Sequence, residues 1–341
     1  MQKRTLFIFS ALFLVICACI CGCTGTVGTN NTPAPTAAVT ETPAAATATP
    51  TATATAAAVT NATGNGITIV DDTGTSVYVP AGVERIVSLA PSITELYFAM
   101  TDENSTTKLV GRTSYDNYPE EALLVDSIGG MTTGASIESI ISKDPDLIMS
   151  TTMVDMNMIN QLRANGYPVL VFEIDKLEDI FENIRVMGKV LNEESNAESL
   201  ITKINGEISE IEARPHETPL PKTMYAVAAD PMYVTGGETY LDELITLAGG
   251  INCYGDISGY GIVTTESIIE RQPEVIIVIK GPMDSGLNMR EQILNNKELA
   301  NVPAVKTGRI YTVDDDIVSR PGPRVGQALE ILYSCISENA Q

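Results

Sequence analysis

Tryptophan is absent from this 341-residue chain, histidine occurs once, and 21 basic residues face 43 acidic ones. The one histidine, His216, lies in Pro215-His216-Glu217-Thr218-Pro219 with no serine or cysteine beside it. It reads as a surface residue at an exposed joint. That argues against a Ser-His or Cys-His hydrolase, and against a zinc or manganese site built from several imidazoles; no enzyme activity and no metal site are expected. The shortage of Lys and Arg gives a formal charge of −22, which becomes −24 if a leader carrying Lys3 and Arg4 is removed. Nucleic acid and anionic lipid are therefore poor partners, and a partner with a basic surface is favoured. No phosphate loop occurs, and Gly259-Tyr260-Gly261 lacks the third glycine of a dinucleotide fingerprint. Asp314-Asp315-Asp316 reads as a solvated acidic loop rather than a calcium site.

Only one apolar run, Leu6 to Ile20 after Lys3 and Arg4, is long enough to engage a membrane, and its length suits a secretory leader better than a span. Ile20-Cys21-Gly22-Cys23 has the order of a lipobox, with Cys23 the residue expected to carry lipid; Ile16-Cys17-Ala18-Cys19 is a second match. Residues 1–22 are thus read as a lipoprotein signal and 23–65 as a Thr/Ala/Pro-rich tether, too poor in apolar residues to fold. Extended at about 3.1 Å per residue, it would reach on the order of 100 Å. Its threonines permit O-glycosylation, and a plain spacer fits equally well. The folded part is expected outside the cell, lipid-anchored and monomeric. Four of the six cysteines lie at or before Cys23, and in an exported protein the remaining two, Cys253 and Cys335, are expected to form a disulfide.

What is present in quantity is a repeat. Ile137-Glu138-Ser139-Ile140-Ile141 leads through Pro145 to Leu147-Ile148-Met149, and Thr265-Glu266-Ser267-Ile268-Ile269 leads through Pro273 to Val275–Ile279. Each copy predicts a short helix opened by an acid, stopped by proline, and followed by a buried parallel strand. Two copies far apart predict two similar α/β lobes. A hairpin is expected around Asp72-Thr73-Gly74-Thr75. Strands follow at Arg85–Leu89, Lys108–Thr113, Val169–Phe172 and Arg309–Val313, and Ser92 with Glu95 reads as a capping box opening a helix after Pro91. Helical spacing over Leu177–Leu191 and through Leu200, Ile204, Ile208 and Ile211 predicts a stiff connection. The expected divisions are an N-terminal lobe at 66–175, a helical region at 176–221 and a C-terminal lobe at 222–341.

Ser88-Leu89-Ala90-Pro91-Ser92-Ile93-Thr94-Glu95, Ser114-Tyr115 with Tyr118-Pro119, the lipoprotein start and the repeated Glu-Ser-Ile-Ile together resemble the class III substrate-binding proteins of ABC importers, which take up cobalamin and iron chelates. The resemblance covers roughly Ile67 to the C-terminus. It implies α/β lobes with parallel-rich sheets joined by one long helix, a ligand cleft between them, and one glutamate per lobe, Glu138 and Glu266, docking on permease arginines. Cobalamin binders of that family usually line the cleft with tryptophan. Here Tyr115, Tyr233 and Tyr260 occupy the corresponding loop positions, with Arg320 placed to meet a phosphate or carboxylate of the ligand and Ser92 as a further contact. The cargo expected is a cobalt corrinoid, with a ferric siderophore or haem as alternatives and no resident cofactor. A surface or adhesion lipoprotein outside transport is the reading from a different class.

Overall fold

The computed structural model describes residues 59–61, 66–105, 107–130, 135–280 and 289–337. The leader, the lipobox with Cys23 and nearly all of the expected tether lie outside these residues. One part of that tether segment is a strand: β1 (Val59–Asn61) pairs antiparallel with β2 (Gly66–Val70), and β2 with β3 (Ser76–Pro80). Pairing Val59 opposite Ile69 gives the outer backbone edge of β2 its partners. Three residues carrying one apolar side chain have no period to read, which is why the strand was not expected. The β2–β3 turn forms as its sequence predicts. The Asp71 carboxylate accepts from the N–H groups of Thr73 and Thr75 at 3.1 Å each, and Gly74 takes φ 75°, a left-handed conformation that costs glycine little.

The first lobe follows as β4 (Arg85–Ser88), α1 (Pro91–Met100), β5 (Lys108–Gly111), α2 (Ile137–Ile141), β6 (Leu147–Thr151), α3 (Met156–Ala164) and β7 (Val169–Phe172). Its strands form a parallel sheet in the order β5-β4-β6-β7. All four residues of β7 are buried, as a strand covered on both faces requires. Helix α1 departs from its sequence expectation. Its N-cap is Ala90 and Pro91 opens the first turn, where a missing N–H costs nothing. Ser92 therefore lies inside the helix and cannot cap it, and Glu95 is freed for another role.

Helix α4 (Leu177–Leu191) spans the residues its spacing predicted, with Ile180, Ile184, Met187 and Leu191 on the buried stripe. Asn192 at φ 57° turns the chain into α5 (Glu194–Glu212). The two pack so closely that a Cβ on Gly188 would come within 2.5 Å of the Ala197 Cβ. On its other sides α5 meets α1 of the first lobe and α6 (Tyr240–Leu247) and α11 (Val325–Ile336) of the second, and so bridges the lobes.

The second lobe comprises β8 (Lys222–Ala229), β9 (Met232–Thr235), α6, β10 (Ile251–Asn252), β11 (Tyr260–Ile262), α7 (Thr265–Arg271), β12 (Val275–Lys280), α8 (Met289–Asn295), α9 (Pro303–Thr307), β13 (Ile310–Asp314), α10 (Asp315–Val318) and α11. The sheet order is β11-β9-β8-β12-β13, with β10 beside β8. The apolar run of the second repeat is its central strand: Val275 to Ile279 are all buried, with parallel neighbours on both sides. Burying such side chains contributes about 1.5–3 kcal/mol each.

Candidate functional site

In each sheet the parallel strands end on a common edge, where loops of α/β proteins gather ligands. From the first sheet that edge carries α1, the Ser114–Pro119 loop and the Glu173–Lys176 loop. From the second it carries β9, β11 and the segment from Asp314 to Arg324. The two edges meet through charged groups. Glu95 of α1 accepts from Arg324 Nε at 2.7 Å and Nη2 at 2.6 Å, a bidentate pair between buried side chains. Arg320 adds contacts to Glu95 at 3.4 Å, to Asn117 Oδ1 at 2.8 Å and to the Tyr115 carbonyl at 3.1 Å, and pairs with Asp316 one turn back. Asn117 in turn donates to Asp316 at 2.7 Å, and the Arg324 guanidinium lies 4.2 Å above the Tyr118 ring. Burial pushes the Glu95 carboxyl up from its ordinary range, while Arg324 and then Arg320 pull it back.

Of the expected ligand contacts, Ser92, Tyr115 and Arg320 are brought together at this junction, and two are already committed. Arg320, with 14% of its side chain exposed, spends its donors on protein groups. Ser92 is buried and Gly322 packs against its backbone, where an added Cβ would lie 3.7 Å from the Ser92 carbonyl oxygen. Tyr115 is half-buried. Tyr233 and Tyr260 form a separate pair on adjacent strands, their rings stacked 6.0 Å apart at 24° and 37% and 44% exposed. Burial raises the Tyr260 phenol, and Tyr233, Asp175 and Asp315 add to the rise. Asp175 belongs to the first lobe and Asp315 to the second, so Tyr260 feels both. Behind this pair Tyr225 is fully buried with its hydroxyl 3.1 Å from Ser319 Oγ. Tyr240, 4% exposed, has a buried hydroxyl with no partner among the described residues.

Glu95, Arg324, Asp316, Tyr225 and Tyr240 were not expected as site residues: Glu95 was read only as half of a capping box and Asp316 only as part of a solvated acidic loop. The one available signal was the second arginine of Arg320-Pro321-Gly322-Pro323-Arg324, a rigid spacing that sets two guanidiniums on one loop.

The repeated glutamates are matched in detail. Glu138 and Glu266 each stand in the first turn behind a hydroxyl N-cap, Ser136 or Thr264, and both are exposed. Each carboxyl is held below its ordinary range by its own backbone N–H and then by the cap hydroxyl, as expected at a helix N-terminus. No basic side chain contributes to either. Both helices also end alike: the residue before the proline, Asp144 or Gln272, takes a left-handed φ of 48° or 51°.

Two expectations are corrected. Cys253 and Cys335 are free thiols rather than a disulfide. Cys335 is buried on α11, which packs on α5 and α6, whereas Cys253 follows β10 and its carbonyl is held by Arg271 of α7. Burial pushes these thiols up to about 12 and about 11, which keeps them protonated and unreactive. His216 is half-buried rather than a surface residue. Its ring meets the Tyr333 ring edge-on at 5.8 Å and presses so closely on Gly249 that a Cβ there would lie 2.1 Å from Nδ1. Among the described residues no His/Cys/Asp/Glu group is arranged to hold a metal, and no helix is long and apolar enough to cross a membrane.

The family profile described as periplasmic binding protein matches residues 86–317. An uncharacterized ABC transporter substrate-binding lipoprotein of Bacillus subtilis (strain 168), YvrC, is 29% identical over 278 residues, covering 79% of this chain and 85% of the relative. The vitamin B12-binding protein of Vibrio parahaemolyticus is 26% identical over 250 residues, 72% of this chain and 87% of that one. Among solved structures, the apo form of the periplasmic heme-binding protein RhuT from Roseiflexus sp. RS-1 superposes with a TM-score of 0.66 at 31% identity, covering 76% of this chain and all of the other. With this profile spanning both sheets and the bridging helices, the chain belongs to the periplasmic binding protein family, in the class III group of substrate-binding proteins of ABC importers.

Proposed function

We propose that the chain is an extracytoplasmic receptor, lipid-anchored through Cys23, that captures a corrinoid between its lobes and delivers it to an ABC importer through Glu138 and Glu266. The observation that carries this reading is the stacked, part-exposed Tyr233–Tyr260 pair, on which Asp175 of the first lobe also acts. Half-exposed aromatic faces suit a flat macrocycle, and the phenol hydroxyls suit a rim of amides. The vitamin B12-binding relative adds to it.

Haem is the second reading, favoured by the structural likeness to a heme-binding protein. Haem iron takes an axial side chain from His, Cys, Met or Tyr, and here burial raises the Tyr260 phenol, which disfavours the phenolate form, while His216 is packed against Tyr333. These features fit a chelate that brings its own axial ligand better. Native mass spectrometry of the full chain mixed with cobalamin, cobinamide, haemin and ferric siderophores tests the proposal. Retention of a corrinoid supports it, retention of haem or a siderophore alone replaces the cargo, and retention of none favours a surface lipoprotein. Thermal shift gives a parallel readout, because ligand at 100 times its dissociation constant adds about 2.7 kcal/mol.

A further inference from the structure

We infer that the interlobe cleft selects ligands whose rim is neutral or cationic and discriminates against anionic chelates of the same size. The inference rests on the cleft being the ligand site. Among the described residues two guanidiniums reach it, Arg320 and Arg324, the groups best shaped to take a ligand carboxylate. Neither is available. Arg324 is held by both oxygens of Glu95 and by the Asp316 carbonyl at 2.5 Å. Arg320 is divided among Asp316, Glu95, Asn117 and the Tyr115 carbonyl. Turning either toward a ligand would leave Glu95, a buried carboxylate, short of a partner, and that is costly. Arg112 is also turned inward, donating to the carbonyls of Ala122 and Thr113 at 2.7 Å each.

The charge left over at the strand ends is acidic. Asp175 and Asp315 both act on the Tyr260 phenol from opposite lobes; Asp315 is partly offset by Ser319 and Arg320, which leaves Asp175 as the exposed acid of the two. Beside them stand Glu173 and Asp314, both exposed; the exposed lysines on these loops, among the described residues, are Lys176 and Lys280. The chain's net charge of −22 adds a background of the same sign. What the cleft does offer is the hydroxyls of the part-exposed Tyr233 and Tyr260, groups that hydrogen-bond amides without needing a counter-charge. A ligand carboxylate about 7 Å from one uncompensated acid, at an intermediate effective dielectric, loses roughly tenfold in affinity, so two such carboxylates lose about 100-fold.

The test titrates the full chain with two matched pairs of probes: dicyanocobinamide against dicyanocobyrinic acid, the same corrin with amides or with free carboxylates, and cationic ferrioxamine B against its N-succinyl derivative, the same chelate with a carboxylate in place of the ammonium. In whichever pair binds, the anionic member is expected to be about 100-fold weaker at low salt, with the gap narrowing as salt screens it. The gap should also narrow in Asp175→Asn, an exposed position whose replacement leaves the fold alone. An anionic member that binds within about threefold of its partner overturns the inference. Binding of the hydroxamate with no corrin bound would remove the corrinoid reading while the charge rule stands. Failure of all four probes to bind would overturn both.

Discussion

Replacing Arg324 by Ala exposes what the ion pair across the lobes contributes. The substitution removes both short contacts to Glu95 and leaves that buried carboxylate, among the described residues, with only Arg320 at 3.4 Å. Stranding one member of a buried pair typically costs 3–5 kcal/mol, so a loss of about 4 kcal/mol is expected. The reverse substitution, Glu95→Ala, is less severe. Arg320 keeps Asp316 and Asn117, and Arg324 keeps the Asp316 carbonyl and the Tyr118 face, so about 1–3 kcal/mol is expected. At roughly 2–4 °C per kcal/mol for a chain of this size, Arg324→Ala should lower Tm by about 8–16 °C. Urea unfolding of the two single variants and the double variant, read as a cycle, measures the asymmetry and the coupling. The double variant should be less destabilised than the sum of the singles. Equal costs for the two singles, or a coupling below about 0.5 kcal/mol, would refute the assignment of this pair as the tie between the lobes.

Replacing Tyr233 or Tyr260 by Ala should weaken binding of the ligand by about 1–3 kcal/mol in calorimetric titration, with Phe retaining most of it; Tyr115→Ala is expected to do the same. Because burial raises the Glu95 pKa above 4.5, the folded chain holds that proton to higher pH than the unfolded chain, so stability falls as pH rises through the interval just above 4.5 and levels off beyond the folded value. Glu95→Gln should flatten that part of the pH–stability curve; an unchanged slope removes the cause. Alkylation of the folded protein should leave Cys253 and Cys335 unmodified, and denaturant without reductant should expose both as thiols; a mass showing them bonded would contradict the free pair.

The elements that sequence reading placed well were those whose signal is local. Helix α4 needed only its own 3.6-residue stripe, and β12 its run from Val275 to Ile279 before an exposed Lys280. The repeated Glu-Ser-Ile-Ile units were legible because the same cap, acid and proline stop recur in both lobes. The charged junction was illegible for the opposite reason. Glu95 and Arg324 are 229 residues apart, and no local pattern links them. A Ser-x-x-Glu spacing at Ser92 even supplied a wrong local meaning for Glu95, because Pro91 had already opened the helix. The two thiols failed similarly: compartment and count favoured a bond, but the elements that carry them decide whether the sulfurs meet.

Delivery is the claim on which the functional account stands, and Glu138 and Glu266 test it most directly. Both carboxylates are exposed, ionised and free of basic neighbours contributing to them, so their loss should leave the fold and the cleft as they are. Each would meet a permease arginine in a charge-assisted contact, one per lobe, which fixes orientation as well as strength. The measurement is uptake by the reconstituted importer with the Glu138→Ala, Glu266→Ala and double variants, beside a ligand titration on the same preparations. Unchanged affinity with impaired uptake, worst in the double variant, is the predicted result. Normal uptake by the double variant, or lost ligand binding in either single one, would contradict the account.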